Sequence, residues 1–515
     1  MRQSTPNGRQ RFWHWAGLIT VVWLGFGLLL WNLDARGLWL DEIIYVELER
    51  QGPASIVNGL MQEFTDHHPP AYHFIAHFWL TLAGESDFAA RMLSVFFGVM
   101  CLPLLYQIGR IVRHPRLGKL AALLLAMAPL AIMFTRIARY YALTTMLGLL
   151  TTLLFLRLGR ERRIRAAYIV ASALLAYTDY LGLSLLVGQG YLALFANKRR
   201  KGFFWRWMAG EIIAALLFVP WFFVFIRQAS SAATWSAADL AFSPVGYLLK
   251  VAYPLYAFSV GTTLFPWDPI AFVGGIVLGG LAILGVLALA RQRGPWGSNA
   301  HVIVAFIMIP FVIVFLVVSF VTPLVPFIAI PDHMIFAVPF FCLLLAAGWE
   351  RLPHRWLRIV ASAIVVVTYG AAYANYLAGA DFHNPVYAVP IADAVELVIA
   401  NSEPGDVIVS KRDTGFAYHH AKREAALPYY EIDHEIFALI DDVQPARMWV
   451  ISFGRDRTLG GDLTPEFIEA ALAQGYTEIM HQGYVEQNAT YRMVKEKLLN
   501  RPAYRYKLEV RLLAR

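Results

Sequence analysis

The sequence predicts a mainly α-helical protein: a polytopic bundle of membrane-spanning helices followed by a small C-terminal α/β domain. Three observations predict it. Of the 515 residues, 58% are hydrophobic and only 16% charged, and the mean hydropathy is +0.52, far from the balance of a soluble chain. Apolar runs long enough for spans recur between residues 13 and 377. Basic residues concentrate in alternate connections between those runs.

Candidate spans fall near residues 13–33, 87–109, 118–135, 139–156, 164–179, 181–197, 207–226, 268–290, 301–322, 333–349 and 357–377, about eleven in all. The first follows a basic N-terminus, as in a signal peptide. Its apolar stretch is long enough to cross a bilayer and no small-residue cleavage site follows, so it is expected to be a retained span. The connections 1–12, 110–119, 157–165, 198–206, 291–301 and 350–358 hold 22 of the 44 Lys and Arg, against only Glu161 and Glu350. By the positive-inside rule they mark the cytoplasmic face and place the N-terminus there. The net charge of +8 is thus a topology signal, and no nucleic-acid partner is expected.

On the opposite face lie two long connections, 34–86 and 227–267. Neither is polar enough for a free linker, and both read as amphipathic segments against the membrane surface, where Trp and Tyr prefer to sit. The membrane domain is expected over 1–379 and a soluble extracytoplasmic domain over 380–515. In the latter, "DVIVS" (Asp406 to Ser410) and "RMWVISF" (Arg447 to Phe453) read as buried strands. "PIADAVELVIAN" and "TPEFIEAALAQG" read as amphipathic helices, the second with Thr464 as N-cap and Gly475 as its stop. There is no Gly-rich phosphate loop. Asn488 opens an N-A-T sequon. Cys101 and Cys342 lie in apolar runs and read as small buried hydrophobes.

Candidate chemistry concentrates in the first long connection. "LWLDEIIY" sets Asp41 and Glu42 among apolar neighbours, and burial of that kind raises a carboxyl pKa towards general-base work. The same connection supplies Asp66, His67 and His68 before a proline pair. His73 and His77, four apart on a helical stretch, could chelate a metal, but no third ligand stands at metal spacing and packing is the expectation. His419 and His420 are expected at the surface of the soluble domain.

Taken in order, "LWLDEIIYVELER" and "HHPPAYHFIAHFWLTLAGESDFAARMLSVFFGVMCLPLLY" resemble the bacterial membrane glycosyltransferases related to protein O-mannosyltransferases and lipid A aminoarabinose transferases. "FTRIARYYAL", "YTDYLGLSLLVGQ", "FVPWFFVFIRQ" and "PDHMIFAVPFFCLLLAAG" extend the resemblance to about residue 377. It implies a C-type glycosyltransferase fold in the plasma membrane of a bacterium. The site would be extracytoplasmic, the donor a sugar carried on polyprenyl phosphate, and the acceptor a protein, lipid or polysaccharide.

It also implies roles. Asp41 would be the base or orienter for the acceptor hydroxyl, with Glu42 beside it. His68 stands where related proteins have a phosphate-contacting Lys, and Asp66 and His67 would support it. Arg136, Arg139 and Tyr140 would face the phosphate or Asp41, and Arg91 and Tyr45 join the donor-binding set. No cofactor is assigned, and a divalent metal is compatible with the family. Displacement at an anomeric carbon passes through an oxocarbenium-like state, and a cationic clamp stabilises the departing phosphate. A carboxylate on the opposite face then gives inversion. There are departures: Ile137 stands where the family often has an acid, Asp179 where His is common and Asp332 where Arg is common. Lys250 and His333 are substitute cations, although an interfacial, snorkelling lysine is the simpler reading of Lys250. A transporter or flippase, and a non-catalytic relative acting in assembly, are the rival readings. The acids at one outer edge and the lack of half-to-half symmetry argue against the first, and retention of Asp41 and Glu42 against the second.

Overall fold

A computed structural model describes residues 8–63, 66–159, 161–197, 200–236, 244–294, 297–321, 330–379, 391–410, 414–423, 427–432, 436, 444–455, 464–485 and 506–515. The Asn488 sequon lies outside them. The chain divides into two compact units, one of Met1–Leu33 with Tyr45–Leu377, the other of Asp34–Ile44 with Ala378–Arg515.

The first unit is helical. Its elements are α1 (Gly8–Leu30), the C-terminal part of α2 (Leu40–Arg50), α3 (Pro53–Asn58) with a π-turn, α4 (Ala71–Ala83), α5 (Asp87–Val112), α6 (Pro115–Met127), α7 (Pro129–Thr135), α8 (Tyr141–Leu156), α9 (Arg162–Ala176), α10 (Ser184–Asn197), α11 (Phe203–Ser236), α12 (Pro244–Val260) and α13 (Pro269–Ala290). A two-residue hairpin of β1 (Arg293–Gly294) and β2 (Gly297–Ser298) leads to α14 (Ala300–Ile303) and α15 (Ile309–Leu316), joined by π-turns, then α16 (Val338–Arg351) and α17 (Arg355–Leu377).

Among the described residues six helices are long and apolar enough to cross a membrane, or seven if α6 and α7, bent by 63°, form one broken span. The bend falls at Ala128 and Pro129, where proline interrupts the helical ladder. Three shorter apolar helices (Trp15–Leu30, Tyr141–Leu156 and Leu181–Ala196) accompany them. With α9, each expected span coincides with a helix. The protein is an integral membrane protein, and its outward-facing Trp, Phe, Leu and Ile along α11, α13 and α17 are the surface that lipid would cover.

The unit's core is close-packed. At Gly285 on α13 a Cβ would run into the Leu344 carbonyl, and at Gly348 on α16 into the Leu281 carbonyl. Glycine at both lets the two backbones meet, the usual way for helices to associate in lipid. Cys101 and Cys342 are buried and unpaired as disulfides, as their setting predicts.

The second unit carries a five-stranded sheet in the order β4-β3-β5-β7-β6, from β3 (Val407–Ser410), β4 (Tyr429–Glu431), β5 (Arg447–Arg455), β6 (Thr477–Val485) and β7 (Tyr506–Ala514). Strand β3 pairs parallel with β4 and β5, and β7 antiparallel with β5 and β6. Helices α18 (Ile391–Asn401), α19 (Thr414–Ala421) and α20 (Thr464–Ala473) accompany it. Both strands and both helices read from sequence are present, and Gly475 ends α20 at φ +92°. Fully buried Trp449 donates its indole N–H to Asp406 at 2.9 Å. His419 and His420 correct the expectation of a surface role. Both are buried, and His419 Nε2 lies 2.9 Å from the carbonyl of Leu38, which ties the Asp34–Ile44 segment into this unit.

Candidate active site

Asp41 and Glu42 open α2, where two carboxylates suit the positive end of the helix dipole. They are not equivalent. Glu42 is fully buried and accepts a hydrogen bond from the backbone N–H of Trp39 at 3.3 Å, while Ile43 N–H bonds the Trp39 carbonyl at 3.0 Å. That is the reciprocal half of a capping box, so Glu42 fixes the helix start. Asp41 is half-buried.

In the first unit, a cluster gathers around Asp66. Its Oδ2 accepts the Tyr45 hydroxyl at 2.6 Å and lies 3.3 Å from His73 Nε2, while Oδ1 is 2.8 Å from His68 Nδ1. The Arg139 guanidinium stands 4.0 Å away, seated on the faces of Tyr45, Tyr140 and Tyr141 at 4.7, 5.5 and 5.4 Å, and donates to the Tyr141 hydroxyl at 3.1 Å. The His68 ring packs on Tyr140 with centroids 4.0 Å apart. On the far side of His73, Nδ1 meets Glu49 Oε1 at 3.2 Å.

The segment is held in place from behind. Gln228 on α11 donates to the carbonyls of Leu60 and Asp66, at 3.2 and 3.3 Å, and accepts the Tyr180 hydroxyl at 2.6 Å. Ser94 on α5 donates to the Arg139 carbonyl at 3.3 Å.

Burial raises the cost of every charge here, and the partners decide the outcome. For Asp66 burial pushes upward, but His68 and His73 outweigh it and hold the carboxyl well below the usual range. Burial would lower His73, yet its bonds to Asp66 and Glu49 raise it to about 9. Glu49 is pushed up to about 7 by burial, opposed by His73. Burial first, then Asp66, hold the Tyr45 phenol well above its ordinary value, so it stays a donor. Burial lowers His67. Near neutral pH the ionised Asp66 therefore faces protonated His73 and Arg139, an arrangement that favours a further anion.

Other residues singled out from sequence sit elsewhere or do other work. Arg136 gives its guanidinium to the carbonyls of Trp31 at 2.7 Å and Asn32 at 2.6 Å, with Leu28 and the Tyr373 hydroxyl at 3.4 Å. Arg91 donates to the Leu33 carbonyl at 3.0 Å. Both satisfy carbonyls left open where α1 ends. Lys250 likewise donates to the Val318 carbonyl at 2.7 Å, inside a π-turn. Asp179 accepts the Leu181 N–H at 2.9 Å and lies within electrostatic reach of His68, as does His333. Asp332 opens a 3₁₀ turn, Asp332–Ala337. Sequence reasoning missed Glu49 and Gln228 and left His73 to packing. Among the described residues no group of three or more His, Cys, Asp or Glu is arranged to hold a metal ion.

Residues 67–224 match the family model of dolichyl-phosphate-mannose-protein mannosyltransferase. That segment carries His67, His68, Arg91, Arg136, Arg139, Tyr140 and Asp179. The apo structure of ArnT from Cupriavidus metallidurans is similar over 95% of this chain and 97% of that one, with 13% identity and a TM-score of 0.55. That match decides the architecture. The chain has the C-type glycosyltransferase fold. The apo oligosaccharyltransferase of Archaeoglobus fulgidus is also similar, at 11% identity and a TM-score of 0.51 over 87% of this chain and 70% of that one. No curated protein sequence matches the chain. The fold, and the match over residues 67–224, agree with the resemblance that the order of its motifs carries.

Proposed function

We propose that the protein is an inverting glycosyltransferase that moves a hexose or pentose from a polyprenyl-phosphate donor to an extracytoplasmic acceptor. The observation that carries this reading is the convergence of Arg139 and His68 on a buried Asp66, within a tyrosine-lined cluster. A guanidinium held on aromatic faces beside a histidine suits a lipid phosphate, whose negative charge grows as the anomeric bond breaks. The family matched by residues 67–224 is named for a dolichyl-phosphate-linked mannose, which is the same donor chemistry. His68 is the most exposed of the cluster's charged or titratable side chains, at 21%, and is the first to meet a ligand.

Asp41 takes the acceptor's proton in this scheme. It precedes Tyr45 by one turn of α2 and is half-buried, whereas Glu42 caps the helix. As the acceptor oxygen attacks the anomeric carbon, the C–O bond to phosphate breaks. The electron pair leaves on the phosphate and the proton passes to Asp41. The basic connections support a cytoplasmic N-terminus with the C-terminal domain on the opposite side, and the motif resemblance supports a bacterial plasma membrane.

Incubating purified protein with a panel of polyprenyl-phosphate-linked sugars tests the reading. One donor should be consumed with release of polyprenyl phosphate, and Asp41→Asn should cut the rate by roughly 10²-fold or more without altering expression. A wild-type protein that consumes none of the panel in the presence of membrane extracts, or an Asp41→Asn variant at full activity, contradicts it.

A further inference from the structure

We propose that Glu49 and His73 are positioning residues that act through Asp66 to fix the charge and orientation of His68. The proposal deepens the donor-site reading above and rests on it. Four groups form a chain of close contacts leading out to His68: an ion pair of Glu49 Oε1 with His73 Nδ1 at 3.2 Å, and hydrogen bonds of His73 Nε2 with Asp66 Oδ2 at 3.3 Å and of His68 Nδ1 with Asp66 Oδ1 at 2.8 Å. His73 and Glu49 are 1% and 2% exposed, so neither can touch a lipid phosphate or a sugar directly. Two buried carboxylates on either side of one imidazole are costly unless the ring is charged and donates to both. The geometry supplies a hydrogen bond to Asp66 and a 3.2 Å ion-pair contact with Glu49.

The consequence falls on Asp66. Its Oδ2 edge is saturated by the Tyr45 hydroxyl and His73, leaving Oδ1 for His68. An ionised Oδ1 accepts the Nδ1–H of His68 and turns the opposite ring edge to the ligand, where the imidazolium form offers Nε2–H to a phosphate oxygen, while Tyr140 fixes the ring plane. Remove the cation behind Asp66 and its carboxylate loses the charge that keeps it ionised in a dry setting. His68 then loses its fixed acceptor. The charged and titratable groups around His73 are Glu49 and Tyr45 from α2 and Asp66 from the following segment, with His68 and Arg139 beyond Asp66. His77, one turn along α4, binds the Glu49 carbonyl at 2.7 Å and leaves the carboxylate to His73.

The test compares wild type, Glu49→Gln and His73→Gln, with His77→Gln as a control for packing on the same helix. Undecaprenyl phosphate is the probe, titrated into detergent-solubilised protein. Affinity should fall about tenfold for Glu49→Gln, which keeps an acceptor and loses the charge. It should fall roughly 10²-fold for His73→Gln, which frees Asp66 to reorient. Nitrogen-15 histidine spectra should show His68 protonated at Nδ1 in wild type, with that signature lost in His73→Gln. His73, raised to about 9 by its two carboxylates, keeps its proton through neutral pH and loses it as pH rises through that value. Donor consumption should show an alkaline limb near there, moved to lower pH in Glu49→Gln.

If both variants keep wild-type affinity, pH profile and His68 tautomer and lose only thermal stability, the pair is packing and the proposal is overturned. The histidine spectra also separate this outcome from failure of the transferase reading. A protein that consumes no donor but shows the His73-dependent His68 signature refutes the function and keeps the positioning chain.

Discussion

Arg136 and Arg139 stand three residues apart in one connection, and both are buried, yet their surroundings differ. Arg136 gives its N–H groups to three carbonyls at the end of α1 and to the Tyr373 hydroxyl, with a single ring, Tyr376, 5.3 Å from its guanidinium. Arg139 is surrounded by rings, with one carboxylate at 4.0 Å. Backbone carbonyls bind a guanidinium through directed hydrogen bonds and fix a chain terminus. Aromatic faces attract the cation through the ring quadrupole, without the directed bonds that carbonyls make. The difference lies in partners, and partners are what a residue type does not reveal.

The largest effect that would sharpen the comparison is on chemistry. Arg139→Gln should reduce donor consumption by roughly 10²–10³-fold, the scale of losing one preorganised stabiliser of developing negative charge. The melting temperature should move little. Arg139→Lys should recover only part of the rate, since an ammonium neither stacks on three rings nor presents a planar fork. If Arg139→Gln unfolds the protein and leaves the specific rate of the surviving fraction intact, Arg139 belongs with Arg136 and the contrast collapses.

Arg136→Gln should do the reverse. Two close bonds to the Trp31 and Asn32 carbonyls vanish, along with two longer ones, and the end of α1 is left with unsatisfied acceptors. The loss should be about 3 kcal/mol of stability, summed over several buried groups at roughly 1 kcal/mol each. Denaturant or thermal unfolding in detergent would read it. Rate per folded molecule should stay near wild type, and a fall comparable to Arg139→Gln would return Arg136 to the phosphate.

Sequence carried the architecture well because span length and apolar content are strong local signals. The broken α6–α7 pair is written in Ala128–Pro129, and β3, β5, α18 and α20 in short apolar runs with clear stops. Strands β6 and β7 were missed: "YKLEVRLLA" has the polar–apolar alternation of a half-buried strand, "TEIMHQGYV" keeps it poorly, and their pairing partners lie far along the chain. In the site, Asp66, His68, Arg139, Tyr140 and Tyr45 were reachable through motif order. Glu49 was not, because on an amphipathic helix a glutamate between Leu48 and Arg50 reads as part of a solvated face. His73 was set aside with His77 because their four-residue spacing suggested a metal pair and no third ligand stood at metal spacing. The structure gives the pair different partners, a carboxylate for one and a carbonyl for the other.

The smallest effect probes the edge of the structural half. Tyr373 on α17 donates to the Leu28 carbonyl at 2.7 Å and its oxygen lies 3.4 Å from the Arg136 guanidinium, so it braces the same helix end from a distant part of the chain. Tyr373→Phe removes one good hydrogen bond and one weak one while keeping the ring in place. Arg136 retains its two short carbonyl contacts, and the Leu28 carbonyl still has the longer guanidinium contact. The cost should therefore be about 1 kcal/mol, read as a small drop in melting temperature with donor consumption unchanged. Combined with Arg136→Gln, the losses should fall short of their sum, because both substitutions remove the same contact. Strict additivity in that double variant would mean the two side chains brace α1 independently, and the collar around its end would have to be redrawn as two separate supports.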